Sequence, residues 1–532
     1  MSSFRALAPR VAAAMMALTA VGDVASAQSP SLRAKAAGDA GTIAAAVASR
    51  GQVRIIVEHV SAPTEAALSR GAGGLDGARR TIAEGRAAFL ASLGANEAAR
   101  SARLNVRGMA HMPLVALTVD SADLERLAGD RHVVRIWEDT EVFPSLGESV
   151  AVIGGPPASG DPSASPVGDG RGTTVVVIDT GVDGAHRFLA GKVVNEACFS
   201  TPERVGDREV RSSLCPNGAA SQTGEGAGRP CPQDLAGCDH GTHVAGIVAG
   251  RRTSGDGPPG GVAPGASIVA IQVFSRRNEG CGQAARCITA SFSDIVGGLD
   301  HVLSLVGRTR DPIVAINMSL GGGRSNQPCA SNPVATAING LRTAGILTVV
   351  ASGNDGFTDS ISSPACTPGA VSVGSTTKAD QVSSFSNIAP FVTVLAPGTA
   401  IVSATWGNGL VAKNGTSMAA PHVAGAIALI RARMPNARPD DIVAALRETG
   451  IQIRDGRPQG ATTVPRIRVD RALARLSAPP AAVATTPAPA AASVPPTGTA
   501  QPAATPAPCI DAAASAQSAL TGPSRDTGEP CK

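Results

Sequence analysis

Residues 175–182, Val-Val-Val-Ile-Asp-Thr-Gly-Val, contain the strand from which the fold can be inferred. Four consecutive β-branched residues predict a strand buried on both faces, which is typical of parallel sheets. Asp179 follows at the carboxyl end of this strand. Because open α/β sheets carry their chemistry at that end, we expect Asp179 to lie in a functional site. For an isolated aspartate, an Asx-turn or a helix cap would be the simpler interpretation.

Two further stretches carry residue types that can act together with Asp179. Residues 239–246, Asp-His-Gly-Thr-His-Val-Ala-Gly, open a helix of small residues that must pack closely against a neighbour. Residues 414–422, Asn-Gly-Thr-Ser-Met-Ala-Ala-Pro-His, place Ser417 at a bend before the apolar run Val423 to Ile430. This pattern presents a nucleophile at the start of a buried helix, where the helix dipole favours negative charge. By itself, such a bend would be only a helix cap.

The order of the three residues along the chain distinguishes between classes of hydrolase. A serine hydroxyl needs a base, and the base needs a partner that fixes its tautomer. Asp179, His240 and Ser417 supply these roles in the order Asp, His, Ser, which is neither the lipase-like nor the chymotrypsin order. The motifs around them closely resemble the subtilisin family of serine proteases. The resemblance implies that Ser417 is the nucleophile, His240 the base and Asp179 its orienting partner.

The resemblance also separates the roles of the remaining histidines near these motifs. His243 lies three residues after His240, on the same helical face, and resembles the structural histidine of the family. A metal site formed by this pair is disfavoured, because zincins place histidines at i and i+4 with an adjacent glutamate. We expect His422 to be a packed helix histidine.

Two more stretches predict the groups that hold the substrate. Residues 348–356 form an apolar strand that ends at a glycine-flanked asparagine, Asn354. It resembles the oxyanion-hole asparagine of subtilisins, with the backbone N–H of Ser417 as the second donor; a plain Gly-Asn turn is the alternative. Residues 316–322 resemble the strand of the family that pairs with the substrate backbone. The predicted substrate-binding residues are Ser319, Leu320, Gly321, Ala351, Ser352 and Gly353.

The chain as a whole predicts a precursor with several segments. Arg5 and Arg10, an apolar run and Ala25-Ser26-Ala27 indicate a secretory signal peptide over residues 1–27. Residues 28–142 have a βαββαβ-like order without cysteine and resemble the family's inhibitory propeptide, although a permanent accessory domain is the alternative. The peptidase domain is expected over residues 143–476, followed by an Ala/Pro/Thr-rich linker over 477–508 and a cysteine-bracketed tail over 509–532.

Alternating strands and helices in the peptidase domain predict an α/β fold with a doubly wound, mostly parallel sheet. The family resemblance also implies a left-handed crossover. Predicted strands are Thr174–Ile178, Ile268–Phe274, Ile313–Ser319, Ile346–Ser352, Ala370–Ser375 and Phe391–Ala396. Predicted helices begin near His240, Thr289, Asn332, Thr416 and Pro439.

Ten cysteines in an exported chain predict disulfides. We expect the pairs Cys281–Cys287, Cys329–Cys366 and Cys509–Cys531. The other four cysteines should pair among themselves in an order that the sequence leaves open, with a zinc site as the alternative. They are Cys198, Cys215, Cys231 and Cys238, and they lie in a long interval that we interpret as a surface insertion at the non-primed substrate rim.

Composition limits the partners. A net charge of +4 is too small to indicate nucleic-acid binding, and a chain with no Tyr and two Trp lacks base-stacking platforms. No apolar run is long enough for a membrane span. The chemistry requires no cofactor; a structural calcium ion is compatible with the family, but no acidic loop has a convincing ligand spacing.

Together, these features predict a secreted, monomeric serine endopeptidase that cleaves proteins or peptides and is inhibited by its own propeptide until it processes itself. An esterase with the same triad and a non-catalytic envelope or adhesion protein on the same scaffold are the alternatives.

Overall fold

The computed structural model describes residues 30–36, 40–60, 71–93, 104–139, 141–144, 150–155, 165–251 and 260–478. The chain divides into a unit that ends at Ala478 and a second unit, Pro479–Lys532. That second unit lies outside the described residues, as do the predicted signal peptide and the expected Cys509–Cys531 pair.

The N-terminal part of the first unit forms a four-stranded sheet covered by helices. Its strand order is β2-β3-β1-β4, and the pairs β1–β3, β1–β4 and β2–β3 are all antiparallel. The order βαββαβ that the sequence predicts is therefore present, preceded by two helices. The elements are α1 (Pro30–Lys35), α2 (Ala40–Arg50), β1 (Val53–His59), α3 (Gly71–Ser92), β2 (Arg107–Gly108), β3 (Leu114–Val119), α4 (Ser121–Gly129) and β4 (Val133–Glu138).

The rest of the unit is built on a ten-stranded sheet of order β10-β7-β11-β6-β14-β16-β18-β19-β23-β22. Its inner strands pair in parallel, and only the two edge pairs, β10–β7 and β22–β23, are antiparallel. The strands from Glu141 onward are shared among this sheet, a seven-stranded sheet and a two-stranded hairpin. They are β5 (Glu141–Pro144), β6 (Thr174–Asp179), β7 (Val193–Phe199), β8 (Glu203–Val205), β9 (Arg208–Ser212), β10 (Ser221–Thr223), β11 (Ser267–Gln272), β12 (Phe274–Arg277), β13 (Cys287–Ser291), β14 (Ile313–Met318), β15 (Leu320–Ser325), β16 (Leu347–Ala351), β17 (Ile361–Ser363), β18 (Val371–Thr376), β19 (Val394–Pro397), β20 (Ile401–Ala404), β21 (Leu410–Lys413), β22 (Ile451–Arg454) and β23 (Thr463–Arg466). The helices are α5 (His240–Ala249), α6 (Phe292–Leu305), α7 (Ala335–Thr343), α8 (Thr416–Arg433), α9 (Pro439–Glu448) and α10 (Val469–Ser477).

Both faces of this sheet are covered by helices, which explains the apolar run in β6. Val176 and Ile178 belong to the core cluster that includes residues of α6 and α7. Val175 and Val177 belong to the opposite cluster, which includes residues of α5, α8, α9 and α10. The predicted doubly wound α/β architecture is confirmed by this arrangement.

A second sheet, of order β17-β15-β5-β13-β12-β9-β8, lies beside the first. Its third strand, β5, follows the N-terminal sheet along the chain and pairs with β13 on one side and β15 on the other. The strands β8 and β9, which come from the predicted insertion, extend the same sheet beyond β12. The insertion therefore continues the sheet in which β5 lies.

Two helices begin three residues later than the positions near which the sequence places them. A helix was expected near Thr289, but residues 287–291 form β13, and the helix begins at Phe292. The cause is tertiary, because these residues pair with β12 on one side and with β5 on the other. The helix expected near Asn332 begins at Ala335.

Four disulfides join the eight cysteines of the described part. Cys281–Cys287 and Cys329–Cys366 are confirmed as predicted. The four cysteines of the insertion form Cys198–Cys215 and Cys231–Cys238, which excludes the zinc alternative there. Among the residues that the structure describes, no helix is long and apolar enough to cross a membrane.

Candidate active site

Asp179 and His240 meet at the carboxyl end of β6. His240 Nδ1 lies 2.7 Å from Asp179 Oδ1, and both side chains are buried. Since a carboxylate accepts this bond, the proton lies on Nδ1, and Nε2 is left to act as the base. Asp179 Oδ1 also accepts the backbone N–H of Thr180 at 2.7 Å. These two bonds hold the carboxylate and the imidazole in a fixed mutual orientation.

The close approach of α5 to the end of β6 depends on a glycine. A Cβ atom on Gly241 would lie 2.3 Å from the carbonyl oxygen of Gly181 and 3.1 Å from Asp179 Cβ. Thr180 Oγ1 accepts the N–H of Gly241 at 2.9 Å and so joins the strand end to the first turn of the helix. The small residues after His240 therefore serve the contact that the sequence predicts.

Ser417 lies in the first turn of α8 and is linked to Ser319, which follows β14. Ser417 Oγ donates to the carbonyl oxygen of Ser319 at 3.0 Å, and Ser319 Oγ donates to the carbonyl oxygen of Ser417 at 2.5 Å. Asn317 Nδ2 donates to Ser319 Oγ at 2.8 Å and fixes this hydroxyl. The N-terminal end of α8 thus presents Ser417 beside the strand that leads into β15.

Asn354 lies next to the same helix start. Its Oδ1 accepts the backbone N–H of Thr416 at 2.8 Å and the hydroxyl of Thr416 at 3.1 Å. Thr416 Oγ1 in turn accepts the N–H of Gly353 at 3.1 Å. Because Oδ1 is held by these donors, the amide nitrogen of Asn354 is left available for another acceptor. The side-chain amide of Asn354 and the backbone N–H of Ser417 therefore come from neighbouring segments of the chain.

The predicted substrate-binding residues lie on two segments of the chain: one runs from Ser319 into β15, and the other lies at the end of β16. Leu320 and Gly321 belong to β15 and lie opposite Pro144 and Phe143 of β5. Ser352 is fully buried, and its hydroxyl donates to the carbonyl oxygen of Asn387 at 2.8 Å. Ser319 contacts Ser417 as described above. Ala351 is buried at the end of β16, and Gly353 is half-buried with φ +108°.

Sequence reasoning missed the other wall of this cleft. Ala290 and Ser291 of β13 lie opposite Val142 and Glu141, so β5 has a neighbour on each side. Asn387 was also missed: it accepts the N–H of Asp355 at 2.9 Å and donates to Asp355 Oδ2 at 2.9 Å, which orders the loop after Asn354.

The first turn of α5 carries two more ionisable residues. Burial lowers the pKa of His243 to about 3, so this histidine is neutral at ordinary pH, and its Nε2–H donates to the carbonyl oxygen of Val411 at 3.0 Å. Burial opposes ionisation of Asp239, but hydrogen bonds from Lys413 and Thr405 outweigh it and hold the pKa of Asp239 below its ordinary value. His422 is buried in α8, with Nδ1 2.7 Å from the carbonyl oxygen of Met418.

Within the described ranges, no group of three or more His, Cys, Asp and Glu side chains could hold a metal ion.

This fold and site define a serine peptidase built on a parallel α/β sheet, and comparison with known proteins agrees. The model of the subtilase family, Peptidase_S8, matches residues 170–472. The extracellular serine proteinase of Thermus sp. (strain Rt41A) is 33% identical over 345 residues, which cover 62% of this chain and 69% of that protein. Subtilisin NAT of Bacillus subtilis subsp. natto is 32% identical over 326 residues, covering 60% of this chain and 71% of that protein.

A third relative matches over a smaller share of its own length. The extracellular protease of Xanthomonas campestris pv. campestris is 33% identical over 314 residues, covering 57% of this chain and 51% of that protein. Since the family model matches more than half of the chain, the chain belongs to the subtilase family of serine-type endopeptidases. This confirms the family, the fold class and the enzyme class predicted from the sequence motifs.

Proposed function

We propose that this chain is a secreted endopeptidase that is made as a precursor and cuts its own N-terminal domain from the peptidase domain. In the reaction, Ser417 Oγ attacks the scissile carbonyl carbon while His240 Nε2 takes the hydroxyl proton. Asp179 stabilises the imidazolium, and the Asn354 amide and the Ser417 N–H hold the oxyanion. His240 then gives the proton to the leaving amine, and water hydrolyses the acyl-enzyme by the same steps.

The observation that carries the proposal is the position of β5. This segment of the chain lies as an extended strand between β13 and β15, and β15 follows directly from Ser319, whose carbonyl oxygen accepts the hydroxyl of Ser417. An added antiparallel strand is how proteins commonly bind an extended peptide. The position of β5 therefore supports a peptide rather than a simple ester as the substrate. The proposed reaction requires no cofactor.

The register of β5 suggests where the precursor is cut. Phe143 lies opposite Gly321 and Pro144 opposite Leu320, so the strand approaches Ser319 as the chain proceeds. One further step along the sequence leads to the bond between Ser145 and Leu146. We take this bond as the processing site; it falls within the interval from Trp137 to Ser149 that the sequence suggests.

Export and partners complete the proposal. Two relatives carry the word extracellular in their names, and four disulfides suit an oxidising compartment. The substrates are proteins or peptides, the released N-terminal domain is the inhibitor, and the mature enzyme acts as a monomer.

The test compares wild type with Ser417→Ala, using Ser384→Ala, which changes an exposed serine, as the control. We expect Ser417→Ala to persist as the precursor and to hydrolyse no peptide, and Ser384→Ala to mature normally with Leu146 at its N-terminus. A serine-directed organophosphate should label wild type once, on Ser417. Label on another residue would refute the assignment of the nucleophile, and a mature chain that retains residues 30–139 would show that the N-terminal domain is permanent.

A further inference from the structure

The carboxylate of Asp239 binds a distant part of the chain although it stands at the beginning of a helix. Asp239 is the N-cap residue of α5, immediately before His240, but its side chain makes no capping hydrogen bond. Instead, Asp239 Oδ2 accepts from Lys413 Nζ at 2.5 Å and from Thr405 Oγ1 at 2.6 Å. An aspartate at this position ordinarily caps its own helix, so these contacts require another explanation.

Both partners of Asp239 belong to the β20–β21 hairpin, Ile401–Lys413, which leads to the nucleophile. Lys413 ends β21 and lies four residues before Ser417. The short connection between them is fixed, because Gly415 N donates to Gly398 O at 2.9 Å and Asn414 Oδ1 accepts the N–H of Ala400 at 2.8 Å. The ion pair therefore joins the residue before His240 to a rigid connection that ends at Ser417.

The environment makes this ion pair stronger than an ordinary surface pair. The side chains of Lys413 and Asp239 are only 10% and 13% exposed, so solvent and salt screen their charges little. The Thr405 hydroxyl donates to the same carboxylate oxygen and narrows the positions that it can take. A shielded, charge-assisted hydrogen bond of this kind fixes geometry more tightly than an exposed pair.

A second, uncharged set of bonds holds the same hairpin on α5. His243 Nε2–H donates to the carbonyl oxygen of Val411, and Ser403 Oγ donates to the carbonyl oxygen of His243 at 2.8 Å. Because these contacts do not depend on Asp239, removal of the ion pair should leave the hairpin docked. The role of the pair in positioning can therefore be separated from a role in folding.

We propose that Asp239 and Lys413 are positioning residues that set the placement of the His240 imidazole relative to Ser417. The proposal rests on the roles of His240 and Ser417 given under the proposed function. A small displacement of a base from its nucleophile lowers the rate of proton transfer without changing the contacts to the substrate. The pair should therefore affect kcat and leave KM nearly unchanged.

The experiment measures kcat, KM and Tm of the mature enzyme with one peptide substrate that wild type cleaves. The variants are Asp239→Asn, Lys413→Met and the double variant. Arg475→Met, which breaks the exposed Arg475–Glu448 pair on α10 and α9, is the control. We expect each single variant to lose about 10- to 100-fold in kcat with KM within about twofold. The double variant should lose no more than the worse single variant, because both changes remove the same bond.

The outcomes distinguish a failure of the positioning role from a failure of the proposed function. Single variants with the kcat of the control, or losses that multiply in the double variant, would overturn the positioning role. If Lys413→Met does not fold, Asp239→Asn decides the matter, because it keeps the size and an acceptor oxygen of the side chain and removes only the charge. Activity that survives in Ser417→Ala would instead overturn the proposed function, whatever the Asp239 variants do.

Discussion

At the scale of single residues, the hydrogen bonds of Asn354 fix the orientation of the side-chain amide that we propose as an oxyanion donor. Thr416 donates twice to Asn354 Oδ1, once from its backbone N–H and once from its hydroxyl. The orientation of the amide is thus set before any substrate arrives. A donor held in advance stabilises a developing oxyanion without reorganisation.

Asn354→Ala should therefore slow the chemical step and leave KM nearly unchanged, since the amide is needed chiefly when the oxyanion forms. The expected loss is about 10²–10³ in kcat, a magnitude that was measured in a subtilisin and is carried over from it. Asn354→Gly is the matched variant, because it keeps any backbone freedom that a turn asparagine provides. A glycine variant with near-wild-type kcat and lower Tm would mean that Asn354 serves only the turn.

At the scale of elements, the contact between α5 and the end of β6 leaves no room for a side chain at Gly241. An added Cβ atom would meet backbone at 2.3 Å, and backbone cannot yield as the end of a flexible side chain can. We expect Gly241→Ala to separate the helix from the strand that carries Asp179, to lower stability by about 1–3 kcal/mol and to reduce kcat at least about 10-fold.

Gly456→Ala provides the control for this substitution, because a Cβ atom there meets nothing within 4 Å. Thermal unfolding and peptide hydrolysis of the two mature variants check the prediction. Equal Tm and equal kcat in both would show that the α5–β6 contact can widen without consequence.

Some of these elements could be predicted from the sequence and others could not. The strand that carries Asp179 and the starts of α5 and α8 could be predicted, because each depends on a local pattern of apolar and small residues. Strand β13 could not be predicted, because its conformation comes from pairing with β12 and β5. The bond between Asp239 and Lys413 joins residues 174 positions apart, and only the docking of the hairpin on α5 brings them together.

At the scale of the whole molecule, the N-terminal domain binds the peptidase domain through shared apolar surface and a few buried charges. Ile56 and Trp137 belong to the same core cluster as residues of α6. Arg107 of β2 pairs with the fully buried Asp294 of α6, donates to Thr201 Oγ1 at 3.1 Å, and places its guanidinium 4.8 Å from the centre of the Phe199 ring. Arginines in such desolvated pockets commonly dominate an interface.

Arg107→Ala should weaken the hold of the cleaved N-terminal domain by at least about 2 kcal/mol, or about 30-fold in affinity. During maturation, protease activity should then appear sooner after the cut, because the N-terminal domain, which we propose as the inhibitor, dissociates faster. The measurement follows cleavage by gel and activity by peptide hydrolysis in the same sample. Arg126→Ala is the control, since Arg126 pairs with Asp123 inside the N-terminal domain. An unchanged delay in Arg107→Ala would place the main anchor of the domain elsewhere.

The order of the disulfide pairs along the sequence matches the order in which the chain is made. Each disulfide of the described part joins two cysteines that are consecutive along the sequence, over separations of 17, 7, 6 and 37 residues. A polypeptide that is translocated amino end first therefore presents each thiol to an oxidant together with its correct partner, before any later competitor has emerged. The export that we propose would therefore select, by the order of translocation alone, one connectivity from the 105 that eight cysteines allow.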